Sequence, residues 1–100
     1  MINKDEIEEE FRDFIRHSGF DKSDFYAGVT RDAEYALFKV HKVDRSKENR
    51  YMFRDCGDPD KAVDVAKYLI EELGLDGNAD ADASRAETVY IYKKEYYTTQ

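Results

Sequence analysis

Apolar side chains recur at the spacing of an amphipathic helix near the start of this 100-residue chain. Asn3 can cap such a helix through its side chain, and Gly19 can end it in the left-handed conformation. We therefore predict a helix from Lys4 to Ser18, whose charged side chains, Glu8 among them, face water. The apolar positions of its inner face are Ile7, Phe11, Phe14 and Ile15.

A second apolar stripe with helical spacing predicts a helix from Pro59 to Leu73. Asp58 precedes it as an N-cap, and proline is favoured at the first helical position. Gly74 follows as a stop signal. The stripe consists of Ala62, Val63, Ala66, Leu69, Ile70 and Leu73.

Three short segments are rich in aromatic and β-branched residues and predict strands. They are Phe25–Thr30, Tyr51–Cys56 and Thr88–Tyr92. The last is apolar at successive positions, which indicates a central or covered strand. Gly28 interrupts the first strand and is predicted to allow close approach of another backbone.

The segment that follows the first strand fits two structures. Its apolar positions match one face of a helix capped by Thr30 or Asp32, but every second residue from Ala36 to Val40 is also apolar, as in a hairpin strand. We predict a helix from Asp32 to Val43, and the strand remains the alternative.

These elements predict one α+β domain over residues 1–100, with a small, mainly antiparallel, three-stranded sheet and about three flanking helices. The helix at 4–18 precedes a core at 24–92, and a polar tail occupies 93–100.

The net charge of −7 is unevenly distributed along the chain. Residues 39–54 carry six basic and two acidic side chains, residues 1–38 and 55–87 are acidic, and residues 88–100 have a net charge of +1. An acidic protein is a poor nonspecific binder of nucleic acid, because such binding depends on neutralising phosphates. The basic segment could face an anion, but we predict a solvated loop between two elements.

The chain contains a single cysteine, Cys56, so it cannot form an internal disulfide. We predict that Cys56 is a half-buried small hydrophobe in a reducing compartment. No apolar run resembles a signal peptide or reaches membrane-spanning length. The expectation is a cytoplasmic protein that does not enter a membrane.

The run from Tyr26 to His41 reads Tyr-Ala-Gly-Val-Thr-Arg-Asp-Ala-Glu-Tyr-Ala-Leu-Phe-Lys-Val-His, and Ala62–Lys67 reads Ala-Val-Asp-Val-Ala-Lys. The first resembles the GIY-YIG endonuclease superfamily, in which a strand ending Tyr-x-Gly-x-Thr leads into a helix of the type Asn-Asp-x-Glu-Arg-Arg-Leu, often with a histidine soon after. The second resembles the Ala-x-x-x-Glu-Lys of a later helix in that family. The resemblance spans about residues 25–92 and implies a small GIY-YIG-like fold.

The resemblance implies a site in which a tyrosine lies near the scissile phosphate, an arginine balances developing charge and a glutamate holds a divalent metal. Tyr26 matches the tyrosine, but the arginine falls on Ala36 and the glutamate on Ala66. Arg31 and His41 are the remaining candidates for catalysis. We predict that His41 is a partly exposed surface residue and that the chain is not an enzyme.

The first half of the family motif, a Gly-x-Tyr strand, is missing before Phe25. We predict that the C-terminal strand takes its place beside Phe25–Thr30, as in a circular permutation. Tyr90 and Tyr92 would then face the same cleft as Gly28, Ala36 and Ala66. The alternative is that both tyrosines are ordinary amphipathic strand residues.

Oxygen-bearing side chains follow the spacing of an EF-hand calcium loop after residue 75. Two features argue against calcium binding: Ala81 stands where the loop needs glycine, and a strand rather than a helix follows. We therefore expect only weak attraction of Mg²⁺ or Ca²⁺. The candidate ligands are Asp76, Asn78, Asp80, Asp82 and Glu87.

Three functional hypotheses follow from these observations. The first, which we favour, is a GIY-YIG-like module that has lost nuclease activity and binds a macromolecular partner, most simply a protein. The second is a metal-dependent nuclease with displaced catalytic residues. The third is an acidic protein-binding domain that mimics the charge of nucleic acid.

Overall fold

The fold is α+β, as the sequence predicts, and its helices form where caps and apolar stripes coincide. The computed structural model describes residues 3–79 and 86–99. Among these residues, no helix is long and apolar enough to span a membrane. The elements, in chain order, are α1 (Lys4–Ser18), β1 (Phe25–Thr30), α2 (Tyr35–Val40), β2 (Tyr51–Asp55), α3 (Pro59–Lys67), β3 (Asp76–Asn78) and β4 (Thr88–Lys93).

Helix α1 has the predicted bounds and caps. Asn3 Oδ1 accepts a hydrogen bond of 2.9 Å from the Glu6 N–H, and Gly19 ends the helix at φ 80°. One charged residue departs from the prediction, because Glu8 is buried rather than exposed to water. Its carboxylate lies 3.6 Å from Lys4 Nζ one turn earlier, which partly offsets the cost of burial.

Helix α3 begins as predicted, with Asp58 accepting from the Lys61 N–H at 2.8 Å. Its regular α-helical part ends at Lys67, and a wider π-turn continues over Tyr68–Glu72. The buried stripe therefore reaches the predicted length, but its last turn is wound differently.

The segment after β1, whose sequence fits either a helix or a strand, is a helix. It is shorter than the predicted Asp32–Val43. Asp32 Oδ1 accepts from the Tyr35 N–H at 3.1 Å and so caps its start. The segment Tyr35–Val40 is wound as a π-helix, and the His41 N–H donates to the Ala36 carbonyl at 2.9 Å. The wider winding changes which residues share a face, so the 3.6-residue period only partly describes this helix.

The sheet has four strands in the order β2–β4–β1–β3, not the predicted three. Strand β4 pairs antiparallel with both β1 and β2, whereas β3 pairs parallel with β1. The predicted pairing of the C-terminal strand with Phe25–Thr30 is thus confirmed. Strand β3 was missed because Asp-Gly-Asn has the composition of a turn.

Gly77 makes the parallel pairing of β3 possible. A Cβ atom on Gly77 would lie 2.2 Å from the Ala27 carbonyl oxygen, and its φ is 152°. The close backbone approach that we predicted at Gly28 therefore occurs at Gly77. At Gly28, the space is filled instead by the ring of Tyr90.

The two faces of the sheet differ in chemistry. One face, here called the aliphatic face, packs Phe25, Ala27, Val89 and Ile91 against α1 and α3. The other, here called the tyrosine face, carries Tyr26, Tyr90 and Tyr92 and is covered by α2 and by Val43. Strand β4 is therefore covered on both sides, as its continuous apolar run predicts.

Candidate functional site

The tyrosine face gathers most of the candidate residues into one cluster. Tyr26 lies opposite Tyr92, and Gly28 lies opposite Tyr90, in the β1–β4 pairing. Cross-strand partners project on the same side of a sheet. His41, which follows α2, lies above them, with its ring centroid 5.2 Å from that of Tyr26 and 4.9 Å from that of Tyr92.

Both ring nitrogens of His41 are hydrogen-bonded inside the protein. Nδ1 lies 2.6 Å from the Thr99 carbonyl oxygen, and Nε2 lies 2.7 Å from the Tyr90 hydroxyl. A carbonyl can only accept, so Nδ1 carries a proton, and in the neutral imidazole Nε2 accepts from Tyr90. His41 is only 6% exposed, and the expectation of a partly exposed surface histidine is therefore wrong.

The C-terminal tail closes over this histidine. Thr99 donates from its N–H to the His41 carbonyl at 2.8 Å while its own carbonyl accepts from the His41 ring. The Tyr92 hydroxyl lies within 3.1 Å of Nδ1 and 3.5 Å of the Thr99 carbonyl oxygen. The predicted polar tail is thus joined to the fold by this pair of hydrogen bonds between Thr99 and His41, here called the clasp. No periodicity in the sequence indicates this contact.

Gly28 gives Tyr90 its position. The Tyr90 hydroxyl and ring would lie 2.5–2.9 Å from a Cβ at residue 28, so any larger residue there must displace the ring. With glycine present, Tyr90 lies across β1 and reaches His41. The cleft that we predicted around Gly28 is therefore filled by the chain's own side chain.

Tyr26 is the most accessible member of the cluster. Its side chain is half-buried, and burial together with the nearby Asp76 carboxylate raises its pKa. The raised pKa keeps its hydroxyl protonated near neutral pH, whereas a nucleophilic role would require deprotonation.

Burial also raises the pKa of Tyr90 and of Tyr92 above the ordinary value of 10.0. Both hydroxyls remain protonated in the folded protein under conditions that ionise an exposed tyrosine. A folded-state pKa above the unfolded one stabilises the protein below the unfolded pKa, and this stability is lost as the pH rises.

We therefore predict that the free energy of unfolding falls as the pH rises above about 10. Urea unfolding monitored by circular dichroism, together with the tyrosinate absorbance, measures this. Tyr90→Phe should flatten the fall. Tyr96→Phe is the control, because that side chain is 98% exposed and should leave the pH profile unchanged. An unchanged profile in Tyr90→Phe would contradict the assignment.

The other candidate catalytic positions do not share one surface. Ala36 lies on the tyrosine face with Tyr90 and Tyr92. Ala66 is fully buried on α3, which packs on the aliphatic face. Arg31 is exposed beyond the end of β1, outside the cluster. An arginine at position 36 and a glutamate at position 66 would thus be separated by the sheet and would not meet at a single phosphate.

The described first residues of the candidate calcium loop do not have the structure of an EF-hand loop. Asp76 and Asn78 belong to the extended strand β3, whereas the first residues of such a loop wrap around an ion. The Asp76 carboxylate is paired with Lys94 Nζ at 3.3 Å. Glu87 is half-buried, and Asp80 and Asp82 lie outside the described residues. In the described part of the chain, no three His, Cys, Asp or Glu side chains are grouped as metal ligands.

Cys56 is fully rather than half buried. Burial, reinforced by Asp55, raises its pKa to about 11. The thiol is therefore unreactive at neutral pH, in line with a packing role.

The comparisons with known proteins add no relative. No protein-family model matches the chain, and no curated protein or solved structure shows a significant match to it. The resemblance to GIY-YIG nucleases accordingly rests on the short motifs around Tyr26 and Ala62, and stays a prediction.

Proposed function

We propose that this chain is a non-catalytic module that binds a protein partner on a scaffold resembling a GIY-YIG domain. The observation that carries the proposal is the closure of the tyrosine-face cluster. His41, Tyr90 and Tyr92 are buried and hydrogen-bond to one another and to the tail. Groups that act on a substrate must reach it, so these residues serve the fold.

The alternative of a nuclease with displaced residues has less support. It needs a tyrosine, a cation and a metal-holding carboxylate within a few ångströms of one phosphate. Tyr26 has His41 beside it, but Asp76, its partner across the β1–β3 pairing, is already paired with Lys94. Arg31 lies outside this group.

The alternative of an acidic domain that mimics the charge of nucleic acid is favoured by the ion pairs that the basic segment, residues 39–54, makes. Arg45 pairs with Glu34 at 3.5 Å, Arg50 with Glu95 at 2.6 Å, and Arg54 with Glu10 at 3.2 Å. These arginines are paired with the chain's own carboxylates, so they offer less positive charge to an external anion. A complex with a basic protein that weakens steeply with salt would support this alternative.

An amide NMR titration with MgCl₂ and then with a short DNA duplex tests the proposal. We expect no saturable shifts at Tyr26, Ala36 or His41, because Ala36 and His41 are buried and the Asp76 carboxylate near Tyr26 is paired with Lys94. Saturable shifts there, lost in Tyr26→Phe and accompanied by cleavage of the duplex, would overturn the proposal in favour of a nuclease.

A further inference from the structure

Strand β2 lies at one edge of the sheet, and the direction of its backbone groups can be assigned. The Cys56 N–H donates to the Glu87 carbonyl at 2.8 Å, in register with the β2–β4 pairing. Because hydrogen-bonded pairs alternate in an antiparallel ladder, Met52 and Arg54 also bond to β4. The N–H and C=O groups of Tyr51, Phe53 and Asp55 therefore point away from the sheet.

This edge carries a large exposed apolar side chain at its centre. Phe53 is 44% exposed, and a groove of about 440 Å³ runs beside it, towards Ala33 and Glu34. Within residues 3–79 and 86–99, no strand pairs with the outer side of β2. The edge has neither proline nor lysine, which commonly block edge pairing, and of its two charged residues Arg54 is paired with Glu10.

We propose that a second copy of this chain pairs with β2 in antiparallel fashion, about a two-fold axis at Phe53. In that register, the outward groups of Phe53 bond to those of Phe53 in the second copy. The outward groups of Tyr51 and Asp55 bond to those of Asp55 and Tyr51 across the axis. One arrangement thus satisfies every outward backbone group of the strand.

The side chains are compatible with this arrangement. The two Phe53 rings lie next to each other on the tyrosine face, as a cross-strand aromatic pair. Arg54 lies opposite Met52, and Asp55 lies opposite Tyr51, so no like charges are directly opposed. Arg54 is also neutralised by Glu10 of its own chain at 3.2 Å. The result is a continuous eight-stranded sheet formed by two four-stranded sheets.

The net charge of each copy opposes this association. Two copies of charge −7 repel each other at long range, and salt screens that repulsion. Added salt should therefore strengthen the dimer. This dependence is opposite to that of a complex between an acidic domain and a basic partner.

Amide hydrogen exchange, measured at protein concentrations from low micromolar to millimolar, tests the inference. Protection at the Phe53 and Asp55 amides should rise by about tenfold or more as the dimer forms. The Met52 and Arg54 amides, already bonded to β4, are internal controls and should change little. Light scattering should show the molar mass doubling over the same range and at lower protein concentration when salt is added.

Two variants complete the experiment. Phe53→Lys places like charges at the axis and should keep the chain monomeric, with the Met52 and Arg54 amides still protected. Tyr35→Lys changes another exposed aromatic side chain, on α2 and away from the β2 edge, and should dimerise like the parent chain. A parent chain that stays monomeric at millimolar concentration, or a dimer in which the Phe53 amide stays unprotected, would overturn the inference.

This inference rests on the proposed function only in taking a protein as the partner. The two can fail separately, because the MgCl₂ and DNA titration reports on the tyrosine face, whereas exchange at Phe53 reports on the edge of β2. A chain that stays monomeric and shows no saturable shifts with MgCl₂ or DNA would overturn the dimer and leave the non-catalytic assignment standing.

Discussion

Replacing His41 with alanine is expected to lower the free energy of unfolding by about 3 kcal/mol. The change removes a buried ring packed against Tyr26, Tyr90 and Tyr92 and leaves a cavity. It also leaves the Tyr90 hydroxyl and the Thr99 carbonyl without the partners that the ring provides. Urea unfolding of the purified variant measures the loss directly.

His17→Ala is the matched control, because His17 is exposed on the last turn of α1. Its effect should stay within about 0.5 kcal/mol. The His41 variant should also lose amide protection at Thr99, since the clasp that holds the tail is gone. Equal stability of the two variants would show that the His41 network does not hold the fold together.

The elements with local signals are those that the sequence predicts well. Asn3, Asp58 and Gly19 are capping residues whose side chain or conformation acts within a few positions along the chain. The helices they delimit have the expected starts, and α1 has the expected end as well. The three longer strands follow from aromatic and β-branched runs, and Thr88–Tyr92 reads as a covered strand because both of its faces are apolar.

The errors arise where distant parts of the chain decide the structure. Strand β3 exists only because β1 provides a partner for Asp-Gly-Asn, whose composition by itself indicates a turn. His41 is buried because tyrosines of β1 and β4 pack against its ring and Thr99 returns across 58 positions to meet it. Neither contact has a periodic or local signature, so burial at His41 could not be predicted.

In the candidate site, too, features with a local sequence signal are predicted correctly and features decided by distant contacts are not. The predicted pairing of the C-terminal strand with β1 correctly brings Tyr90 and Tyr92 to the face of Tyr26. The assignment of Ala66 to that cleft fails, because a motif gives a position along α3 but not the side of the sheet on which α3 packs. A family motif without its partner strand therefore indicates local structure better than it indicates a site.

Gly77→Ala is expected to lower the free energy of unfolding by about 3 kcal/mol or more, the largest loss among the glycine positions. Two separate costs combine there. The φ of 152° is strained for any residue with a side chain, and the new Cβ would lie 2.2 Å from the Ala27 carbonyl oxygen. Backbone cannot move aside as a flexible side chain can, so β3 must separate from β1.

Gly19→Ala isolates the first of these costs, the conformational strain. Gly19 also has positive φ, at 80°, but nothing lies within 4 Å of its Cβ position. Its loss should be about 1 kcal/mol, from conformational strain alone. The difference between the two variants then combines the backbone contact between β1 and β3 with the greater strain at φ 152°, and amide exchange along β3 shows whether that strand detaches. Equal losses would mean that strain alone accounts for Gly77, and that the parallel strand contributes little to the stability of the sheet.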